Sequence, residues 1–248
     1  MKNQIAQKKK DVKKTMTPGE IKDFISALVQ EVPVALPYNA KGRILKEVRK
    51  LFASVVVNPY ANVVLEWEQF YLKHFQKAYE FSQLLIPDCP GENWRLLIIV
   101  DLLLEQLYAK MKELFPCWRW TNDDLDKIVN WNERDAKNGA YAIWVRNGIE
   151  ADEEYKNHSA NKIKEMRIAT ETLGERMIHE LKFFDETGEH LDIKNVTLCS
   201  GSRYSDGYVP RVDFDPCTGK VDVDWYYAGH ANPFLRSRQV GFQSAASG

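Results

Sequence analysis

The sequence predicts an α+β protein: a helical bundle in the N-terminal half, then a C-terminal domain of strands with two helices. Three observations carry that expectation. Apolar residues recur at helical spacing from Ile21 to Phe115. Capping signals stand where helices begin, as in "TPGE" (Thr17–Glu20) and "TETLGE" (Thr170–Glu175). From Ala140 onward the period shortens to that of strands, most strictly in "RVDFD" (Arg211–Asp215) and "KVDVDW" (Lys220–Trp225).

Residues 1–16 carry too little apolar surface to offset ordering entropy and read as a disordered polar tail. Thr17 then caps a helix, with Pro18 at its first position and Ile21, Phe24, Ile25, Leu28 and Val29 on one face. Ile44, Val48, Leu51, Phe52 and Val55 mark a second helix, and Val64, Trp67, Tyr71 and Phe75 a third. A fourth, central helix is expected over Trp94–Phe115, apolar on most sides. The bundle thus occupies 17–116. Residues 117–139, "CWRWTNDDLDKIVNWNERDAKNG", read as a polar connector that docks one half on the other, and the second domain runs over 140–248.

In that domain "AYAIWVR" (Ala140–Arg146) predicts a strand, and Ile149–Met166 a helix broken near Asn157. A second helix follows, capped by Thr172 with Glu175, striped by Leu173, Met177, Ile178, Leu181 and Phe184, and stopped by Gly188. "NVTLC" (Asn195–Cys199) is the next strand. Two aspartate-bearing strands then join through "PCTG", and a last strand near Arg238–Phe242 is placed to pair with the first.

Lys plus Arg (34) nearly balance Asp plus Glu (35), so no global field points to nucleic acid. No apolar core of signal-peptide length follows the basic N-terminus, and "LLIIVDLLL" (Leu96–Leu104) is too short to span a bilayer. A cytoplasmic or virion-associated protein is expected, without membrane insertion. Four cysteines without a CxxC pair read as free thiols, and His158, His179 and His190 fit no catalytic or zinc spacing and read as solvated or capping groups. No enzyme, metal site or cofactor is expected.

The aspartate strands pose the functional question. Alternation places Val212, Phe214, Val221, Val223 and Trp225 on one face and Arg211, Asp213, Asp215, Asp222, Asp224 and Tyr226 on the other. Like charges on neighbouring strands are destabilising, so folding alone does not select this acidic face. A calcium site would use such carboxylates, yet strand alternation spreads them and no DxDxDG loop is present. A partner-binding surface fits better, because Tyr204, Tyr208, Tyr226, Tyr227, His230 and Phe234 enrich the same segment in aromatic side chains. Between Arg203 and Leu235 there is one lysine and no Glu, Gln or Met, and every candidate exposed residue is one that a codon ending in pyrimidine encodes.

With those residues in place, the segment resembles the variable region of proteins diversified by retroelements, in which adenines of template asparagine codons are mutated and copied into the gene. "SGSR" (Ser200–Arg203) is similar to the family's opening element, and "AGHANPFLRSR" (Ala228–Arg238) to its "PDNxNNNxGFR" ending; the close "LRSRQVGF" departs from the usual "GFR". The stretch from "WVRNGIEADEEYKNHSANKIKEM" to "TLCSGSRYSDG" also resembles an uncharacterised microbial and viral family with a variable C-terminus, over residues 140–242. The resemblance implies a C-type lectin-like fold and a ligand-binding role toward protein or cell-surface targets. It implies variable positions at Tyr204, Tyr208, Arg211, Asp213, Asp215, Asp222, Asp224, Tyr226, Tyr227, His230, Asn232 and Phe234. The alternatives are a calcium-dependent carbohydrate binder and a structural protein that self-associates through its helical half.

Overall fold

The computed structural model describes residues 22–24, 26, 27, 46 and 59–242. Two compact units divide the chain, Met1–Ala61 and Asn62–Gly248. In the first, residues 22–24, 26 and 27 are helical, within the helix expected after Thr17, and Lys46 is helical within the second. The rest of those helices, and the tail over 1–16, lie outside the described residues.

α1 (Ala61–Phe75) leads into the second unit and buries Val64, Trp67, Phe70, Tyr71 and His74 on one face, as its periodicity predicts. The single helix expected over Trp94–Phe115 does not form. Trp94–Ile99 is a strand, β1, and only Leu104–Leu114 is helical, α2. Leu96, Leu97, Ile98 and Ile99 are all buried, so the strand reads as a continuous apolar run, a pattern that does not separate a strand from a buried helix. The described part of the expected bundle is therefore not all helix.

The expected connector is also ordered, as β2 (Cys117–Arg119), α3 (Leu125–Ile128) and β3 (Val129–Asn132). Then come β4 (Tyr141–Arg146), a 3₁₀ turn at Glu153–Tyr155, α4 (Ala160–Glu165) and α5 (Leu173–Thr187). The break foreseen near Asn157 coincides with its φ of 60°. The remaining strands are β5 (Val196–Leu198), β6 (Ser202–Tyr204), β7 (Val209–Asp215), β8 (Lys220–Tyr226), β9 (Leu235–Arg236) and β10 (Val240–Gly241).

The strands form three mainly antiparallel sheets, ordered β1-β4-β10, β2-β8-β7-β5-β9 and β3-β6. The last strand pairs with β4, the first strand of the expected C-terminal domain, as anticipated. β4 pairs on its other side with β1. The free edge of β1 is closed by side chains of α1: Trp67 Nε1 donates to the Leu96 carbonyl at 3.2 Å and Tyr71 Oη to the Ile98 carbonyl at 2.5 Å. Carbonyls that would otherwise be buried without partners are satisfied in this way.

Helix α5 is the centrepiece. Thr172 and Glu175 form the foreseen capping box, and Gly188 ends the helix at φ 72°, where glycine meets no Cβ penalty. It contacts α2, β1 and β7, so its polar residues are buried along with its apolar stripe. Arg176 is wholly buried, and Asp192 accepts from its Nε and Nη2 at 3.1 and 2.9 Å. Asp192 also accepts from Arg238 Nη2 at 2.7 Å, Thr197 Oγ1 at 2.6 Å and the Ala151 amide at 2.9 Å.

The histidines depart from expectation for the same reason. His179 is buried with its Nδ1 2.8 Å from Glu171 Oε1, and burial pushes its pKa well below the ordinary value while lifting Glu171 to about 8. His190 bonds Glu180 at 2.8 Å and stacks on Phe214 with centroids 4.3 Å apart. Only His158 is a solvated loop group, bonded to the Lys156 carbonyl.

Candidate functional site

The site is built on the β7–β8 hairpin. Its turn, Pro216–Gly219, holds because Asp215 accepts from the Cys217 amide at 2.8 Å and the Thr218 hydroxyl at 2.9 Å, while Gly219 supplies a φ of 66°. The register places Val212 opposite Val223 and Phe214 opposite Val221, with the three valines buried and Phe214 half-buried. On the other face Arg211 lies opposite Asp224 and Asp213 opposite Asp222. Pairing with β2 sets Trp118 beside Asp222 on that face, 43% exposed.

This face opens into a groove of about 390 Å³. Arg211, Asp213, Asp222 and Tyr226 form its floor, Ile193–Val196 one wall, and Asn232 with Phe234 the far rim. Arg211 bridges the carboxylates, reaching Asp213 with Nη1 and Asp224 with Nη2, the latter at 2.7 Å. Burial lifts the Asp213 carboxyl to about 6; Arg211 opposes the shift and the facing Asp222 adds to it. Burial lifts Asp222 as well, opposed by Arg211 and aided by Asp215 and Asp224. Arg211 thus bonds two of the three carboxylates and Asp222 has no bonded cation among the described residues, which leaves the floor net acidic.

The expected set divides. Arg211, Asp213, Asp215, Asp222, Tyr226, Asn232 and Phe234 line the groove, and Asp224 joins through Arg211. His230 stacks on Tyr226 with centroids 4.5 Å apart and touches Asn232 at 3.1 Å. Tyr208 and Tyr227 do not share this groove. Tyr208 stacks on Trp225 at 4.4 Å, and Tyr227 meets both rings edge-on, because these residues continue the strand alternation onto the face of the valines rather than the groove.

Tyr204 is misplaced by the sequence reading. Only 2% exposed, it packs edge-on against Trp120, because β6 turns inward to pair with β3. Asp215 lines the groove, but its carboxylate is committed to the turn, and the turn's amide and hydroxyl bonds hold it below the usual carboxylate range. The expected open acidic face is half-buried: the Asp213 and Asp224 side chains are 15% and 23% exposed. Trp118 and the 193–196 wall were missed, the tryptophan because "CWRW" carries no alternation long enough to reveal a strand.

The chain matches no family model, no curated protein and no solved structure. The site's chemistry therefore rests on its own geometry. Among the described residues no group of three His, Cys, Asp or Glu side chains is placed to hold a metal, and no helix is long and apolar enough to cross a membrane. The four thiols are free, and burial pushes that of Cys199 well above its ordinary pKa, away from nucleophilic character.

Proposed function

We propose that this protein is a ligand-binding protein whose hairpin face is diversified by retroelement-directed adenine mutagenesis, carried on a C-type lectin-like domain and aimed at protein or cell-surface targets. The observation that carries the reading is the hairpin register: the groove face holds Arg211, Asp213, Asp222 and Asp224, while buried valines fill the opposite one. Substitution confined to the groove face keeps core volume constant. The closure of β10 on β4, with two helices and the hairpin between them, supports the lectin-like architecture.

The segment's end also agrees. Leu235–Arg238 are buried, and the wholly buried Arg238 ties Asp192 to the Gly148 and Ile149 carbonyls, so variation is expected to stop at Phe234. With Tyr204 removed, the proposed variable set is Arg211, Asp213, Asp222, Asp224, Tyr226, His230, Asn232 and Phe234 at the groove, with Asp215 as a turn-restricted member and Tyr208 and Tyr227 as a separate aromatic patch around Trp225.

The test is the DNA beside the gene. A near-copy of the 3′ coding segment with a reverse transcriptase gene is expected, its mismatches at adenines of the codons for that set. Absence of the copy, or mismatches spread equally over Val212, Val221 and Val223, would leave a binding module of fixed specificity.

A further inference from the structure

A second groove, of about 530 Å³, lies between β3, β6 and the end of α4, and none of its lining residues lines the acidic one. Trp131 is 48% exposed along it, and the apolar side chains of Ile163 and Ile168 extend the same surface. Arg203 is the register partner of Trp131, its guanidinium 5.7 Å from the ring centroid. Arg203 Nη1 donates to the Ser200 and Ser202 carbonyls at 2.8 and 2.6 Å, while its other nitrogens donate to no partner among the described residues. Burial lowers its pKa, and no carboxylate among the described residues pairs with it. Lys164 and Arg167 complete the rim, both exposed and likewise without an acidic partner among the described residues. The one lining carboxylate, Glu133, is held by Arg134 at 3.1 Å.

A half-buried guanidinium without an anion is unusual, since buried charges are normally paired. Here it is preset by backbone carbonyls, flanked by two further cations, and set beside an open indole. Guanidinium favours phosphate through charge-assisted, often paired bonds, and exposed tryptophan offers a stacking face. The volume falls in the range of small-ligand sites. We propose that this groove binds a phosphorylated ring compound of the nucleoside monophosphate class, its ring on Trp131 and its phosphate among Arg203, Lys164 and Arg167.

Calorimetry on the full chain with AMP, UMP and phenyl phosphate tests it, alongside adenosine and inorganic phosphate. At least one phosphorylated ring is expected to saturate below about 1 mM, with adenosine and phosphate each about tenfold weaker. Lys164→Gln with Arg167→Gln touches no internal bond, so the melting temperature holds while affinity for the same probe falls about tenfold. Trp131→Ala weakens the ring compounds and leaves inorganic phosphate unchanged. The proposal is overturned if none of the three ring phosphates saturates, if phosphate alone binds as well as they do, or if the double variant binds unchanged.

Discussion

Among the described residues, arginine and aspartate meet in two places, under α5 and on the hairpin face, with opposite outcomes. Beneath α5, burial alone would raise the Asp192 carboxyl, but Arg238 and Arg176 outweigh it and hold it below its ordinary value. Every acceptor position of Asp192 is used. On the hairpin, Asp213 faces Asp222 across the strands and one Arg211 is shared, so carboxylates are raised rather than lowered. The first cluster is a completed structural joint. The second leaves Asp222 without a bonded cation among the described residues, and less stability is expected to rest on it.

The largest effect that comparison predicts is in the buried joint. Asp192→Ala leaves two wholly buried guanidinium groups without their shared anion and is expected to cost about 3–5 kcal/mol, read by urea denaturation. A cost near that of an ordinary surface substitution would erase the contrast. Next comes the hairpin's own core face, where Val223→Ala is expected to cost on the order of 2 kcal/mol. The combined change of Asp222→Ser and Asp224→Ser on the opposite face, by the same measurement, stays within about 1 kcal/mol, because it also relieves like-charge repulsion.

The hairpin was legible because its alternation is strict, and α5 because its capping box and Gly188 are unambiguous. β1 was not, since leucines and isoleucines buried on both faces carry no period. Nor was the burial of Glu175, Arg176, His179 and Glu180, whose partners Arg134, Asp192, Glu171 and His190 are distant in sequence or lie beyond the helix. At the site, strand alternation correctly assigned Asp213 and Asp222 to one face. It misassigned Tyr204, because the inward turn of β6 depends on its pairing with β3.

A pH series sharpens the comparison further. The Asp213 carboxyl stands at about 6 in the folded chain against an ordinary 3.8, so the folded state holds that proton more tightly. The stability this group contributes is complete below about pH 4 and is lost as pH rises through about 6. Asp152 at about 6 and Glu171 at about 8 add slope of the same sign, and the lowered Asp192 and His179 add slope of the opposite sign, so the difference between wild type and Asp213→Asn is the informative quantity. Asp213→Asn is expected to melt higher above pH 6, with the gap closing toward pH 4. A gap that instead widened in acid would assign Asp213 a stabilising ion pair like that of Asp192.

The smallest stability effect belongs to Phe234, and it separates a binding face from a structural one most cleanly. Its ring is 65% exposed on the groove rim, whereas its backbone does the structural work: its amide donates to Asn232 Oδ1 at 2.9 Å and its carbonyl accepts from the Val196 amide at 2.9 Å. Phe234→Ser keeps both bonds and removes only exposed apolar surface, so thermal and urea stability should stay within about 0.5 kcal/mol. An exposed aromatic on the rim of a polar groove is also the kind of side chain that dominates interface energetics once a partner covers it. Against a target selected for binding the wild-type face, the same substitution should therefore weaken binding about tenfold or more. A loss of stability above about 1.5 kcal/mol would mean that the rim is held for folding, and the leftover charge of Asp213 and Asp222 would then need a structural cause.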